Sequence, residues 1–395
     1  MRTALLYVSN GNIPSRWAHT LQIMKMSEAL AALVPSFALV IPGALAAGAA
    51  SDAAIFDWYG VRRPFSLRRL PMGWHLDPRE LERSNWRRFS ARARWYARLL
   101  RPRLLMTRCH ETADYALRDG LPLLFETHDG PGHPKSMELM ARLGRYRRLK
   151  GVVTTSETLK QAFCEVGVRP EQVLAIPNAV DVAHFELPPA ARARARMELR
   201  AEEGTFLVAY TGSLKPYKGI DTLIATARLR PQYRFVTIGG DAKDIAAWQA
   251  DAAAVPNLSM LPFVPNSELP GYLAAADACL VPNSSADRTA GWTFSLKLYE
   301  YLAAARPVIA SDIPSLRSAT DGGELALLVP PDDPGALAAA LDRLQQDPAL
   351  AARLGERGRR RMAEQTWRQR ARCVIETFAP ELLEEQGALA RHGCS

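Results

Sequence analysis

Paired cysteines, long apolar runs and phosphate-loop signatures are scarce in this 395-residue chain, and each scarcity excludes a class of protein. The five cysteines, at 109, 164, 279, 373 and 394, are odd in number and scattered. No pair has the spacing of a zinc site or a redox dithiol, and a reduced, cytosolic compartment is expected. Met1-Arg2 leads directly into a short apolar run, so the N-terminus does not read as a secretory leader. The uncharged stretch 29–50 approaches bilayer length, but Pro35 and Pro42-Gly43 cut it into a helix end, a strand at 37–41 and an Ala/Gly-rich loop. Neither GxGxxG nor GxxxxGK[ST] occurs, which removes support for a dinucleotide dehydrogenase or a P-loop enzyme.

What is present is an excess of positive charge: 50 Lys and Arg against 41 Asp and Glu, a net +9. Residues 1–185 hold 26 basic and 16 acidic side chains, and residues 186–395 hold 24 and 25, so the excess belongs to the first half. It peaks between Arg79 and Arg103, with nine arginines and only Glu80 and Glu82; a smaller run is Arg62, Arg63, Arg68 and Arg69. A polyanion, an anionic membrane or phosphorylated substrates are the partners such a balance favours.

Short β-rich runs alternate with longer helical patterns, which predicts parallel sheets covered by helices on both faces. Six strands are expected in the first half, at 4–8, 37–41, 104–107, 123–126, 151–154 and 173–176, and six in the second, at 206–211, 234–238, 258–261, 278–281, 308–310 and 327–329. Both halves open with strand, glycine turn and helix: 4–8 runs through Gly11 to a helix from about Ser15, and 206–211 runs through Gly212 to a helix from Gly219. The aperiodic, proline-rich stretch 178–189 reads as the connection. This gives domains at 1–180 and 181–366, with 367–395 as a helix returning to the first.

A strand that ends in glycine and feeds a helix leaves unpaired backbone N–H groups and a helix dipole facing any phosphate placed there. Gly212, followed by Lys215 and Lys218, fits a diphosphate, although two solvated lysines on an ordinary turn would look the same. Thr293 or Ser295 can cap a helix that ends before Arg306-Pro307. Glu300 lies close to its apolar stripe of Leu296, Tyr299 and Leu302, where a carboxylate wants hydroxyl or N–H partners; pairing with Lys297 one turn earlier is the alternative.

The run 295–311, SLKLYEYLAAARPVIAS, resembles the donor-site helix of the retaining glycosyltransferases of family 4, which have the two-domain GT-B fold. The segments 210–224 (YTGSLKPYKGIDTLI), 153–160, 176–181, 238–241, 261–264 and 273–277 are similar to that family's in the same order; the first 120 residues match only in outline. The resemblance implies two Rossmann-like doubly wound domains facing a cleft, with the C-terminal helix crossing back to the first. It implies that Lys218 neutralises the donor diphosphate, that Glu300 holds the ribose hydroxyls, and that Gly212, Ser213 and Lys215 line the phosphate turn. Phe263 and Val264 would face the base, Phe294, Ser295 and Leu296 would offer N–H groups, and Gly11 would lie against the phosphates. No metal or other cofactor is expected, since a helix dipole plus lysine can take its place.

His128 follows a strand end, where open α/β sheets bind ligands. The resemblance places a histidine there near the transferred sugar, in an orienting role; an imidazole simply bonded within a loop is the other reading. Two departures stand out. Trp292 occupies the position where many family members have a donor-sugar glutamate, and Ser213 the position where an arginine is common, with Lys215 available to compensate.

Within the arginine-rich segment, Phe89, Tyr96, Leu99 and Leu100 follow a helical stripe, leaving Arg87, Arg88, Arg92, Arg94 and Trp95 for an anionic acceptor or membrane surface. A core-facing helix with a solvated basic side is the alternative, and no nucleic-acid module accompanies the charge. The expected function is transfer of a sugar from a nucleotide-diphosphate sugar to a glycan or lipid-linked acceptor, by a cytoplasmic protein peripheral to the inner membrane face. A sugar-nucleotide epimerase of the same fold and a non-catalytic glycan or sugar-nucleotide binding protein are the alternatives.

Overall fold

A computed structural model describes residues 3–43, 50–71, 81–130, 134–286, 290–292 and 294–383, with the backbone alone for 81–87, 134, 135 and 189. It divides into two compact units, Met1–Asn178 with Trp367–Ser395, and Ala179–Thr366.

The first unit is built on seven parallel strands: β1 (Leu5–Val8), β2 (Phe37–Gly43), β3 (Leu67–Pro71), β4 (Leu104–Thr107), β5 (Leu123–Glu126), β6 (Leu149–Thr154) and β7 (Val173–Ala175). Their order across the sheet is β3-β2-β1-β4-β5-β6-β7. The second unit has six: β8 (Leu207–Thr211), β9 (Arg234–Ile238), β10 (Leu258–Leu261), β11 (Ala278–Val281), β12 (Val308–Ser311) and β13 (Leu327–Val329), in the order β10-β9-β8-β11-β12-β13. Apart from the seventh strand the two orders are the same. Central strands such as LLYV, LLMT, LLFE and ACLV are buried at every position, because helices cover both faces and neither face can be polar.

The strand β3 corrects the expectation of six in the first half. Leu67-Arg-Arg-Leu-Pro71 carries two arginines and a proline and reads as a basic loop, yet it pairs with β2 from Leu39 to Gly43. It is tolerated because it is an edge, where arginines reach solvent and a proline spoils no second ladder.

The helix Trp367–Phe378 belongs to the first unit and packs on the helix Ala18–Leu33. Trp367, Ala371, Val374, Ile375 and Phe378 form its buried stripe. Phe378 lies so close to β6 that a Cβ on Gly151 would stand 2.2 Å from its ring. Glycine at 151 is therefore a packing requirement, and it makes this helix part of the first unit's core.

The helix Leu81–Leu100 forms as expected, but its buried face is Phe89, Ser90, Ala93 and Ala97, packed on the helix His110–Asp119. Of the anticipated stripe only Phe89 is buried: Leu99 points outward at 79% exposure, and Tyr96 and Leu100 are half-buried. Small residues take the inner face, which lets the two helices approach closely.

Candidate active site

In each sheet the strand order reverses beside the first strand of its unit, between β1 and β4 and between β8 and β11. Beyond the carboxyl ends of strands at such a point, adjacent loops part and leave a crevice.

In the second unit, Gly212 follows β8 with φ +116°, and its N–H donates to the Ile238 carbonyl at 2.8 Å. The turn Pro216–Lys218 leads to Gly219, at φ +71°, which begins the helix Ile220–Leu229. A Cβ on Gly219 would stand 1.7 Å from the Pro282 carbonyl oxygen, so only glycine lets this turn meet the loop that follows β11. The helix Leu296–Ala303 is tied to the same place by Tyr301, whose hydroxyl accepts from the Thr211 N–H at 2.6 Å. Ser295 precedes that helix without a side-chain cap, leaving first-turn N–H groups available.

Gly212 and the helix that carries Leu296 and Glu300 thus meet at the end of β8. Tyr210 donates to the Ser213 carbonyl at 2.6 Å and fixes the turn. Lys218 places Nζ 4.8 Å over the Tyr217 ring. Glu300 is half-buried and accepts from Asn266 Nδ2 at 3.4 Å. It does not hydrogen-bond Lys297, whose Nζ has no hydrogen-bond partner. Phe294 packs edge-on against Tyr299, ring centroids 4.6 Å apart, so what it can offer a ligand is backbone. Phe263 and Val264 follow β10 and are half-buried, and Trp292 and Leu296 are half-buried as well. Thr293 lies outside the described residues. Lys215 is held by Asp244 at 2.8 Å, a pairing that raises its pKa and directs its charge onto a carboxylate of the chain itself.

In the first unit, Gly11 follows β1, and a Cβ there would crowd Thr20 at 3.1 Å and His19 Nε2 at 3.4 Å. Arg108 follows β4 and donates to Gln22 Oε1 at 2.7 Å. His128 follows β5 with Nε2 3.5 Å from Glu126 Oε1, longer than a good hydrogen bond. Burial first, then the Arg108 charge, pushes the His128 pKa down to about 4 against the opposite pull of Glu126. The imidazole is therefore neutral around neutral pH, able to orient a hydroxyl and carrying no charge of its own. Glu126 is buried and also takes Tyr7 at 3.3 Å and Arg370 at 2.9 Å.

On the helix Leu81–Leu100, Arg88, Arg92 and Arg98 are exposed together with Trp95, which is 73% exposed; Arg98 lies 5.7 Å from the Trp95 ring centroid. Arg94 is different. Its Nε and Nη2 reach the two carboxylate oxygens of Asp119 at 2.7 and 2.5 Å, so it braces the helix. The Arg87 side chain lies outside the described residues.

Three buried polar atoms of the second unit, Thr237 Oγ1, Asn283 Oδ1 and Lys297 Nζ, have no hydrogen-bond partner, and sequence reasoning considered Lys297 only as a partner for Glu300. A signal for Lys297 did exist: it precedes Tyr301 by four residues and so lies on the helix face that meets the end of β8. Among the described residues, no group of three or more His, Cys, Asp or Glu side chains is placed to hold a metal ion, and no helix is long and apolar enough to cross a membrane.

Residues 46–184 match the family model described as Glycosyltransferase Family 4, and residues 205–347 match Glycosyl transferases group 1. Among curated proteins, the chain is 31% identical over 251 residues to the D-inositol 3-phosphate glycosyltransferase of Kineococcus radiotolerans, covering 58% of this chain and 56% of that one. It is 28% identical over 255 residues to the protein of the same name from Nocardia farcinica, covering 61% and 55%. The chain spans about half the length of the curated relatives it matches. Among solved structures, it is similar to HepE of Anabaena in complex with UDP and glucose, at TM-score 0.74 and 16% identity over 95% of this chain and 99% of that one. It is also similar to sucrose-phosphate synthase from Thermosynechococcus elongatus, at TM-score 0.72 and 21% identity over 98% of both. The two-sheet architecture is the GT-B fold.

Proposed function

Because the chain belongs to the family 4 glycosyltransferases, we propose that it moves a sugar from a nucleoside-diphosphate sugar to a hydroxyl of a glycan or lipid-linked acceptor, with retention at the anomeric carbon. The observation that carries this reading is the constellation at the end of β8: Gly212 in the left-handed region, Lys218 on the next turn and Glu300 on the helix that Tyr301 ties to that strand end. Its support from relatives is that similar curated proteins are named glycosyltransferases and that HepE was solved with UDP and glucose.

In this reading the diphosphate lies over Gly212, Lys218 opposes its charge, and the first-turn N–H groups around Leu296 take a phosphate oxygen. Glu300 accepts from the two ribose hydroxyls. Charge developing on the departing diphosphate is met by these fixed donors, so the site does not depend on a metal ion. The acceptor belongs to the first unit, where His128, neutral and half-buried, orients its hydroxyl. A leaving-group oxygen of the diphosphate takes the hydroxyl proton, and the new bond forms on the face the nucleotide leaves.

The exposed Arg88, Arg92, Arg98 and Trp95 support a peripheral position on an anionic membrane face, where a lipid-linked acceptor would be presented. The test is transfer and donor hydrolysis with a panel of UDP-, GDP- and ADP-sugars. Lys218→Ala and Glu300→Ala are expected to lower turnover by about 10²-fold or more, and full activity in either overturns the site. Nucleotide binding without turnover anywhere in the panel would instead make the chain a binding protein.

A further inference from the structure

Lys297 is placed unlike any other lysine described in the second unit. It sits in the first turn of the helix Leu296–Ala303, and although its stem is partly exposed, Nζ itself is buried and makes no hydrogen bond. Nζ lies over the face of Tyr210, 3.6 Å from the ring centroid. On its other side is Gly212, where a Cβ would stand 3.0 Å from Nζ and 3.1 Å from Cε. The glycine backbone is therefore open directly onto the amine, at the turn where the sheet order reverses.

A buried amine with three donor positions and none used is costly in an empty protein. The Tyr210 face offers it a cation–π contact and no hydrogen-bond acceptor. Burial, followed by the Lys218 charge, lowers its pKa well below the ordinary lysine range, and Glu300 opposes the shift. The groups facing it are Tyr210 on β8, Lys218 on the turn Pro216–Lys218 and Glu300 on its own helix, with Tyr217 and Tyr301 flanking Tyr210. The Lys218 charge acts on Lys297, and the carboxylate within that set is Glu300, one the nucleotide ribose would occupy. Lys215 does not add to them, being held by Asp244.

We propose that Lys297 is a diphosphate-binding residue, its amine meeting a phosphate oxygen of the donor over Gly212. This rests on the donor site described under Proposed function and deepens it. An arriving diphosphate supplies the acceptors Nζ lacks and the negative charge that offsets Lys218, so binding works against the downward pull of burial and favours the ammonium form. Donor binding then favours proton uptake, and the empty site carries a group that is poorly satisfied.

The experiment is isothermal titration of UDP, GDP and ADP into the full chain at about pH 8, where a terminal phosphate is already ionised, in two buffers of different ionisation enthalpy. The nucleotide that binds is then titrated into Lys297→Met and Lys297→Arg, with its parent nucleoside as control. Lys297→Met is expected to weaken the diphosphate by about 10- to 100-fold and to leave the nucleoside unchanged. It should take up fewer protons per ligand than the wild type, and melt no lower than wild type without ligand. Lys297→Arg should retain more affinity than Lys297→Met. Unchanged affinity in Lys297→Met overturns the proposal while the donor site stands. If that variant does not fold, Lys297→Gln is titrated in its place, and unchanged affinity there overturns the proposal. Failure of the wild type to bind any of the three nucleotides overturns the donor site and this proposal together.

Discussion

Arg370, on the helix Trp367–Phe378, donates through Nη2 to Glu126 Oε1 at 2.9 Å, and the two side chains are only 2% and 4% exposed. Arg370 also donates through Nε to the Pro177 carbonyl at 3.0 Å. The C-terminal helix thus neutralises a carboxylate at the end of β5, two residues before His128. Removing one partner of a buried pair leaves an uncompensated charge. Arg370→Met should therefore lose about 3–5 kcal/mol of stability, measured by urea unfolding. The double variant with Glu126→Gln should recover most of it. An unchanged midpoint in Arg370→Met would show that the pair contributes nothing.

The same cluster sets the acid limit of the first unit. Burial alone would raise the Glu126 pKa, but Arg370, then His128 and Arg108, hold it well below the ordinary carboxylate range. Its contribution is present above about pH 4 and is lost as pH falls toward its folded value. His128 adds a second window. Its folded pKa of about 4 lies below the ordinary histidine value of 6.5, so the unfolded chain binds the extra proton between those values and stability falls as pH drops through them. The His128 share is at most about 3 kcal/mol. Urea unfolding at pH 7, 5.5 and 4.5 should show His128→Asn losing less stability than wild type over this interval. Equal losses would remove His128 from the account.

Much of the fold is legible in the sequence because central parallel strands must be apolar throughout. Runs such as Leu104–Thr107 and Ala278–Val281 have no other reading once helical patterns flank them. The edge strand Leu67–Pro71 was not legible, since an edge needs only one ladder and one covered face, and its arginines hide the pattern. The glycine turn at 212 could be read from its place between strand and helix, but not the fate of the lysines beside it. Which lysine meets Asp244 and which lies over Tyr210 depends on residues 29 and 87 positions away in the chain. In the helix Leu81–Leu100, helical spacing alone admitted more than one apolar face. Packing against the helix His110–Asp119 selects the one with small residues.

Gly219 offers a sharper test of the phosphate turn than any lysine. It combines φ +71° with a Cβ position 1.7 Å from the Pro282 carbonyl oxygen. Alanine must therefore both strain the backbone and push the turn away from the loop after β11. Gly219→Ala is expected to cost about 2–4 kcal/mol and to reduce nucleotide affinity, because Lys218 precedes it directly. Gly204 has φ +82° with nothing within 4 Å of its Cβ position, so Gly204→Ala carries only the backbone strain. Equal losses in the two variants would show that the contact with Pro282 is unimportant.

On the helix Leu81–Leu100 the proposed membrane position can be tested apart from stability. Arg88, Arg92 and Arg98 face solvent beside Trp95 and Leu99, while Arg94 is bound to Asp119. An arginine near an anionic surface contributes about 1 kcal/mol. Changing Arg88, Arg92 and Arg98 to Gln should then weaken binding to phosphatidylglycerol-containing vesicles by about 100-fold. Arg94→Gln should do the reverse, lowering the melting temperature and sparing vesicle binding. Trp95→Ala should weaken binding even at high salt, because insertion of an indole is not screened as the arginine charges are. Sedimentation with anionic and neutral vesicles reads all three variants. If the wild type stays in the supernatant with both, the basic face is a solvated surface and the acceptor must be sought in solution.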